Sequence, residues 1–355
     1  MNHQEQAIVI TGCGWVTPFA AGGLEAVLQA AAGGTAPPAV SEGYWPVPDQ
    51  LMEGYPDLSS ECRNDPGAWL TAVAFELARR DSSFVPGSVP PERVGLVLGD
   101  ALAGQSGMID FANDVREQSA RFVSPIRFPQ TVGNYISGAL ARAYDIRGPN
   151  STIANGPASG LDAVVEACSL LSAGKADLVF AGGTERLTPA LAMGLAEPGV
   201  MFSDGACLFV LQRSDLGATR GPRGLARVVF PRESATGDHS EPRAERSPGT
   251  PGARATASPS ERVLSVAGTR EPGAIYIEHW TGRCLGALGA AAVAAAIGAA
   301  RGLPVPYVSE ADSTLITVSA FKRESLNQVG ENVRAVVRAA SHGGPPATIE
   351  LAIPP

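Results

Sequence analysis

Residues 148–185 read GPNSTIANGPASGLDAVVEACSLLSAGKADLVFAGGTE, and they decide the fold. Ser151, Thr152, Ile153 and Ala154 are short and partly β-branched, which predicts a buried strand. A tight corner, Asn155-Gly156-Pro157, follows, and a helix then opens with Ser159 as its expected N-cap and Asp162 three residues on. Leu161, Val164, Val165, Cys168 and Leu171 fall at helical spacing before Gly174 stops the run, and Asp177 to Ala181 predicts a second buried strand. A strand driven through a sharp turn into a helix is a common way to present a nucleophile beside free backbone N–H groups. This corner carries no nucleophilic side chain.

Working outward, the same alternation continues. Ala7 to Ile10 predicts a central strand, followed by Thr11-Gly12-Cys13-Gly14-Trp15-Val16-Thr17-Pro18. A dinucleotide-binding turn fails here, because Thr17 stands where the third glycine should let helix and strand approach, and Pro18 follows at once. Helices are predicted over Leu24–Ala32, Ala68–Arg80, Gly107–Arg121 and Val132–Tyr144, with a strand at Val94–Leu98 and an aperiodic loop over Val40–Pro66. After the central stretch, Ser203-Asp204-Gly205-Ala206-Cys207 leads into a strand at Leu208–Leu211, and Leu225–Phe230 starts a second half. Residues 231–262 hold no apolar side chain larger than alanine or proline, a composition that predicts a disordered insert. A Gly/Ala-rich helix over Leu285–Ala300, ended by Gly302-Leu303-Pro304, and strands at Val333–Ala340 and Thr348–Ile353 complete an α/β chain.

Composition excludes several function classes. A net charge of −8 argues against nucleic-acid binding, which favours a basic face. Cys13, Cys62, Cys168, Cys207 and Cys284 form no CxxC pair and do not cluster with the four histidines, so no metal site is expected and free thiols in a reducing cytoplasm are. The polar stretch Met1–Gln6 gives no secretory signal. The apolar run 285–300 is too short and too weakly hydrophobic to span a bilayer, so no membrane insertion is expected.

The GPN before the strand, the SGLDA helix start, the ADLVFAGGTE run, the ITGxGxVTP opening and the SPxxFPxTVxN stretch at Ser124–Asn134 together resemble the β-ketoacyl synthases, the condensing enzymes of fatty-acid and polyketide assembly. The resemblance implies a thiolase-like fold: two similar βαβαβαββ halves stacked in five layers, here with the second half shortened. It places the halves at 1–222 and 223–355, gives the glycines of the opening a turning role, and puts a dimer interface along Ser151, Thr152, Ile153, Ala154 and Asn155. It places Phe128 and Tyr135 near the acyl tunnel, and Gly343 and Gly344 in the closing glycine loop.

The resemblance also implies that the catalytic set is lost. Pro157 stands where the family carries its acyl-accepting cysteine, and a proline offers neither a nucleophile nor an N–H for an oxyanion. Ala267 stands at the first histidine of an AHGTGTP-like loop, and Arg283 at the second histidine of a KSxxGHxxGAxG pattern. Arginine stays protonated, so it cannot cycle as an acid and base. Members of this family that lack the nucleophile act as chain-length factors. The implied function is therefore a non-catalytic subunit pairing as a heterodimer with an active ketosynthase and, through it, acyl carrier protein, with no cofactor. The rivals are a thioester hydrolase or decarboxylase using His342 with Ser159, a condensing enzyme using Cys284, and a homodimeric scaffold.

Overall fold

A computed structural model describes residues 7–33, 43–55, 58–82, 84–196, 201–214, 224–229, 261–266, 284–303, 316–321, 333–339 and 347–354. Strand β1 (Ile8–Val16) runs straight through Gly12 and Gly14 with a register shift between Ile10 and Gly12, so the glycines do not turn the chain as expected. Their role is contact. A Cβ at Gly12 would sit 2.5 Å from the Ala78 carbonyl oxygen, and one at Gly14 2.0 Å from that of Ala74. Only bare backbone lets the helix over Pro66–Asp81 lie this close to the strand.

Strand β2 (Ala21–Gly22) and helix α1 (Leu24–Ala32) follow. The segment expected to be a loop holds β3 (Tyr44–Trp45), α2 (Asp49–Glu53) and α3 (Ser60–Arg63), elements too short to leave a periodic signal. Helix α4 (Pro66–Asp81) is opened by Asp65, whose Oδ1 accepts the Ala68 N–H at 2.8 Å, with Pro66 in the first turn. Next come β4 (Val94–Asp100), buried throughout, and α5 (Gln105–Gln118). The helix expected from Val132 starts later, since Pro125–Thr131 forms a 3-10 segment before α6 (Tyr135–Ala143).

Strand β5 (Asn150–Ile153), α7 (Ser159–Ser172), β6 (Leu178–Glu185), α8 (Pro189–Leu195), β7 (Phe202–Ser203), β8 (Gly205–Arg213) and β9 (Ala226–Val229) carry the chain into its second half. There the described elements are β10 (Glu261–Val266), α9 (Leu285–Ala300), β11 (Ile316–Phe321), β12 (Val333–Ala339) and β13 (Ala347–Ile353). The boundary at 222/223 and the expected insert from 231 to 260 lie outside the described residues. The last two residues of that insert, Glu261 and Arg262, are paired in β10 opposite Phe321 and Ala320. Composition alone missed this, because a polar strand end is held by its neighbour's backbone.

The main sheet runs β10-β11-β12-β13-β9-β1-β8-β6-β4-β5, with β2 paired to β1, while β3 and β7 form a separate parallel pair. In each half the first and last strands lie side by side, β1 against β8 and β9 against β13, which is the mark of an internal repeat. The first half is mixed, with parallel β4–β5 and β4–β6 pairs bridged by helices and an antiparallel β8. The described strands of the second half are antiparallel to their neighbours.

Helices α7 and α9 pack against each other, with β4, β6 and β8 on one side and β11, β12 and β13 on the other, while α4 lies against β1 and β8. The two halves are thus stacked about a central helical layer, as expected. An outer helical layer over the second half has no counterpart among the described residues. Helix α9 is buried from Gly286 to Gly298, and its alanines and glycines let both sheets close on it.

Candidate functional site

Two adjoining features form the centre of the molecule, the corner before α7 and the amino end of α9. At the corner Gly156 takes φ +58°, the left-handed conformation that glycine adopts at no cost. Ser159 is not the N-cap expected; Ala158 holds that position and Ser159 is the first helical residue. Its hydroxyl accepts the Asn155 N–H at 2.8 Å and donates to the Gly156 carbonyl at 2.6 Å, closing the corner on itself. The Asn155 amide adds a 2.7 Å bond to Asp162 Oδ2. Pro157 and Ser159 are buried, and the serine hydroxyl is committed to the backbone on both sides.

Strand β5, which feeds the corner, is not the buried strand expected. Asn150 and Ala154 are exposed, and Ser151, Thr152 and Ile153 are half-buried. It pairs only with β4 among the described strands, so its outer edge is open. Thr152 donates to Ser137 Oγ at 3.0 Å and Asn150 Nδ2 to the Ser137 carbonyl at 3.2 Å, fixing the strand to α6.

At the amino end of α9, backbone replaces side chain as the packing surface. A Cβ at Gly183 would sit 2.0 Å from the Gly286 carbonyl oxygen, and one at Gly160 2.6 Å from the same atom. Glu185 Oε2 accepts the Ala101 N–H at 3.1 Å and the Gly286 N–H at 3.2 Å, tying the ends of β4 and β6 to α9. Asp100 shares a hydrogen bond with Glu185 and accepts the Ala103 N–H at 2.9 Å. Burial pushes the Asp100 carboxyl up to about 6, and burial followed by the Asp100 charge holds Glu185 well above the usual carboxylate range. Of the two, Glu185 is the one held more strongly in its protonated form. Both line a cavity of about 220 Å³ with Asp65, Arg186 and Tyr135.

Neither carboxylate was singled out from the sequence; the only signal was that Asp100 and Glu185 each end an apolar strand. Asp204 was also missed as a binding hub. Its buried carboxylate accepts the Tyr44 hydroxyl and the Val47 and Leu187 N–H groups, each at 2.9 Å, and pairs with Arg186.

The other expected site residues are scattered. Cys284 is the buried N-cap of α9 beside Gly205, in a thiol cluster with Cys13 and Cys207. Burial pushes the Cys207 thiol well up, and the thiols of Cys62 and Cys168 up to about 11 and about 12. Tyr135 faces the carboxylate cavity, whereas Phe128 is exposed and meets Phe111 edge-on at 5.9 Å. Ala267, Arg283, His342, Gly343 and Gly344 lie outside the described residues. Among the described residues no group of His, Cys, Asp and Glu could hold a metal ion, and no helix is long and apolar enough to cross a membrane.

The family model for the β-ketoacyl synthase N-terminal domain matches residues 48–234, and the chain belongs to that family. It is similar to the 3-oxoacyl-[acyl-carrier-protein] synthase 2 of Rhizobium meliloti, 24% identical over 192 residues covering 46% of this chain and 45% of the relative. It is also 26% identical over 267 residues to the tetracenomycin polyketide synthase ketoacyl synthase alpha subunit of Streptomyces glaucescens, covering 64% of this chain and 62% of that one. The matches thus span about half of these relatives' lengths. Among solved structures, the ishigamide ketosynthase/chain length factor superposes with a TM-score of 0.67 at 14% identity, over 98% of this chain and 99% of that one. The thiolase-like ketosynthase fold is therefore present, a mixed sheet layered with helices.

Proposed function

We propose that this chain is a non-catalytic ketosynthase-like subunit of the chain-length-factor type, divided into halves at 222/223, that pairs with an active β-ketoacyl synthase in type II fatty-acid or polyketide assembly. Acyl carrier protein reaches it directly or through that partner. The observation that carries this reading is a fully built nucleophile corner, with its left-handed glycine and its serine lock, in which the acyl-accepting position holds buried Pro157. The shape is kept and the reactive atom is gone.

Two further features support pairing. The outer edge of β5 is open among the described residues, and an open strand edge is a template for another chain. Apolar side chains of α5 and the segment after it, Met108, Phe122, Ile126, Phe128 and Val132, are exposed, Ile126 to 84%. Ala267 and Arg283, at the positions of the two family histidines, belong to the same reading.

Co-expression with an intact, cysteine-bearing ketosynthase tests it, with size-exclusion chromatography coupled to light scattering as the readout. A stable one-to-one heterodimer is expected. A homodimer that ignores such partners, or a covalent acyl adduct found by mass spectrometry after incubation with acyl carrier protein, defeats it.

A further inference from the structure

A second cavity, of about 590 Å³, shares no lining residue with the carboxylate cavity or the corner. Its floor is aromatic. Phe75 stacks on Phe180 at 4.0 Å and on Tyr144 at 4.2 Å, and Phe84 meets Phe180 edge-on at 6.0 Å. Leu58, Val89, Val94 and Ile146 complete an apolar wall of the size that takes small organic ligands.

The charged lining residues are two arginines and two acids, Arg79, Arg80, Glu76 and Asp145. The Glu76 carboxylate accepts three bonds of 2.7 Å from two arginines, so one positive charge is left over. Arg79 gives Glu76 both Nε and Nη2, whereas Arg80 gives it only Nε. The Arg80 side chain is 55% exposed, and its guanidinium lies 5.6 Å from the centroid of the Tyr55 ring, which holds it at the mouth. Asp145 also lines the cavity, but its carboxylate is turned to Arg147, whose Nε donates to it at 2.8 Å and whose Nη1 lies 3.6 Å from Glu92.

We propose that this cavity binds a small aryl carboxylic acid, with the ring on the Phe75–Phe180–Tyr144 floor and the carboxylate on Arg80. Offset aromatic stacking supplies the apolar part, and a charge-assisted hydrogen bond to the guanidinium selects the acid. The site does not depend on the subunit reading above, since none of its residues touches the corner.

Fluorescence titration of the full chain with 1-naphthoate, and with the neutral 1-naphthalenemethanol, tests it. Saturable one-to-one binding of the acid below about 1 mM is expected. Arg80→Gln should weaken the acid roughly tenfold and leave the alcohol unchanged. Val89→Trp, which fills the cavity from its wall, should abolish binding of both; should that variant not fold, Pro86→Trp fills it from the exposed turn. The proposal is overturned by failure to saturate below about 1 mM, by binding that survives the filling variant, or by an Arg80→Gln effect equal on acid and alcohol.

Discussion

The corner at Asn155–Ser159 and the amino end of α9 are both places where strand ends meet the start of a buried helix, yet they are fastened in opposite ways. The corner is closed chiefly by a neutral lock, a serine hydroxyl between two backbone atoms, with the Asn155 amide bonded to Asp162 beside it. The α9 end is closed by carboxylates that keep a proton, with Gly183 and Gly286 in backbone contact. The serine hydroxyl carries no charge to titrate. The acidic lock depends on its proton and on the absence of a single Cβ.

The comparison breaks first at that contact. Gly183→Ala places a methyl 2.0 Å from the Gly286 carbonyl oxygen, backbone against backbone with no flexible side chain to yield. A loss of about 3 kcal/mol or more, read as a lowered urea midpoint, is expected. The equivalent change on an open glycine such as Gly194, which has nothing within 4 Å, should be nearly silent.

The pH response separates the two locks next. Because the folded Asp100 carboxyl lies near 6, above its ordinary value of 3.8, its protonated form is favoured by folding. The stability it contributes is full below pH 4 and is lost as pH rises through about 6. Asp100→Asn should flatten this decline by roughly 2 kcal/mol between pH 4 and 8, seen in urea melts across that range. A wild-type curve with no fall over that window would contradict the raised Asp100 carboxyl.

Ser159→Ala tests the neutral lock. It strips the Asn155 N–H and the Gly156 carbonyl of their partner, at about 1–2 kcal/mol, with the same loss at pH 5 and pH 8. The smallest effect on stability is expected from Pro157→Cys, within about 1 kcal/mol in chemical denaturation. That variant sharpens the contrast chemically: a covalent adduct with an activated acyl thioester is expected, without condensation product, because Ala267 and Arg283 are left in place.

Much of the fold was legible in local patterns. Helices α1, α4, α7 and α9 and strands β4, β9, β12 and β13 all announced themselves through periodicity, turn residues or unbroken apolar runs. What failed had a physical cause in each case. Gly12 and Gly14 looked like turn residues, but the packing of α4 recruited them into β1. Ser159 had the spacing of a cap, yet the left-handed Gly156 moved the helix start and turned its hydroxyl back to the corner.

The amino-acid order alone determined that strands and helices alternate, that a strand–turn–helix segment stands at residues 151–159, and that its Asn155-Gly156-Pro157 turn carries no nucleophilic side chain, because these depend on neighbours a few positions apart. The tertiary structure alone decided that Glu185 meets Gly286 across 101 residues, that Asp100 and Glu185 are buried beside each other, and that β5 is an edge among the described strands. Those facts rest on burial and on contacts between distant segments, and burial is what turns an ordinary carboxylate or glycine into a structural device.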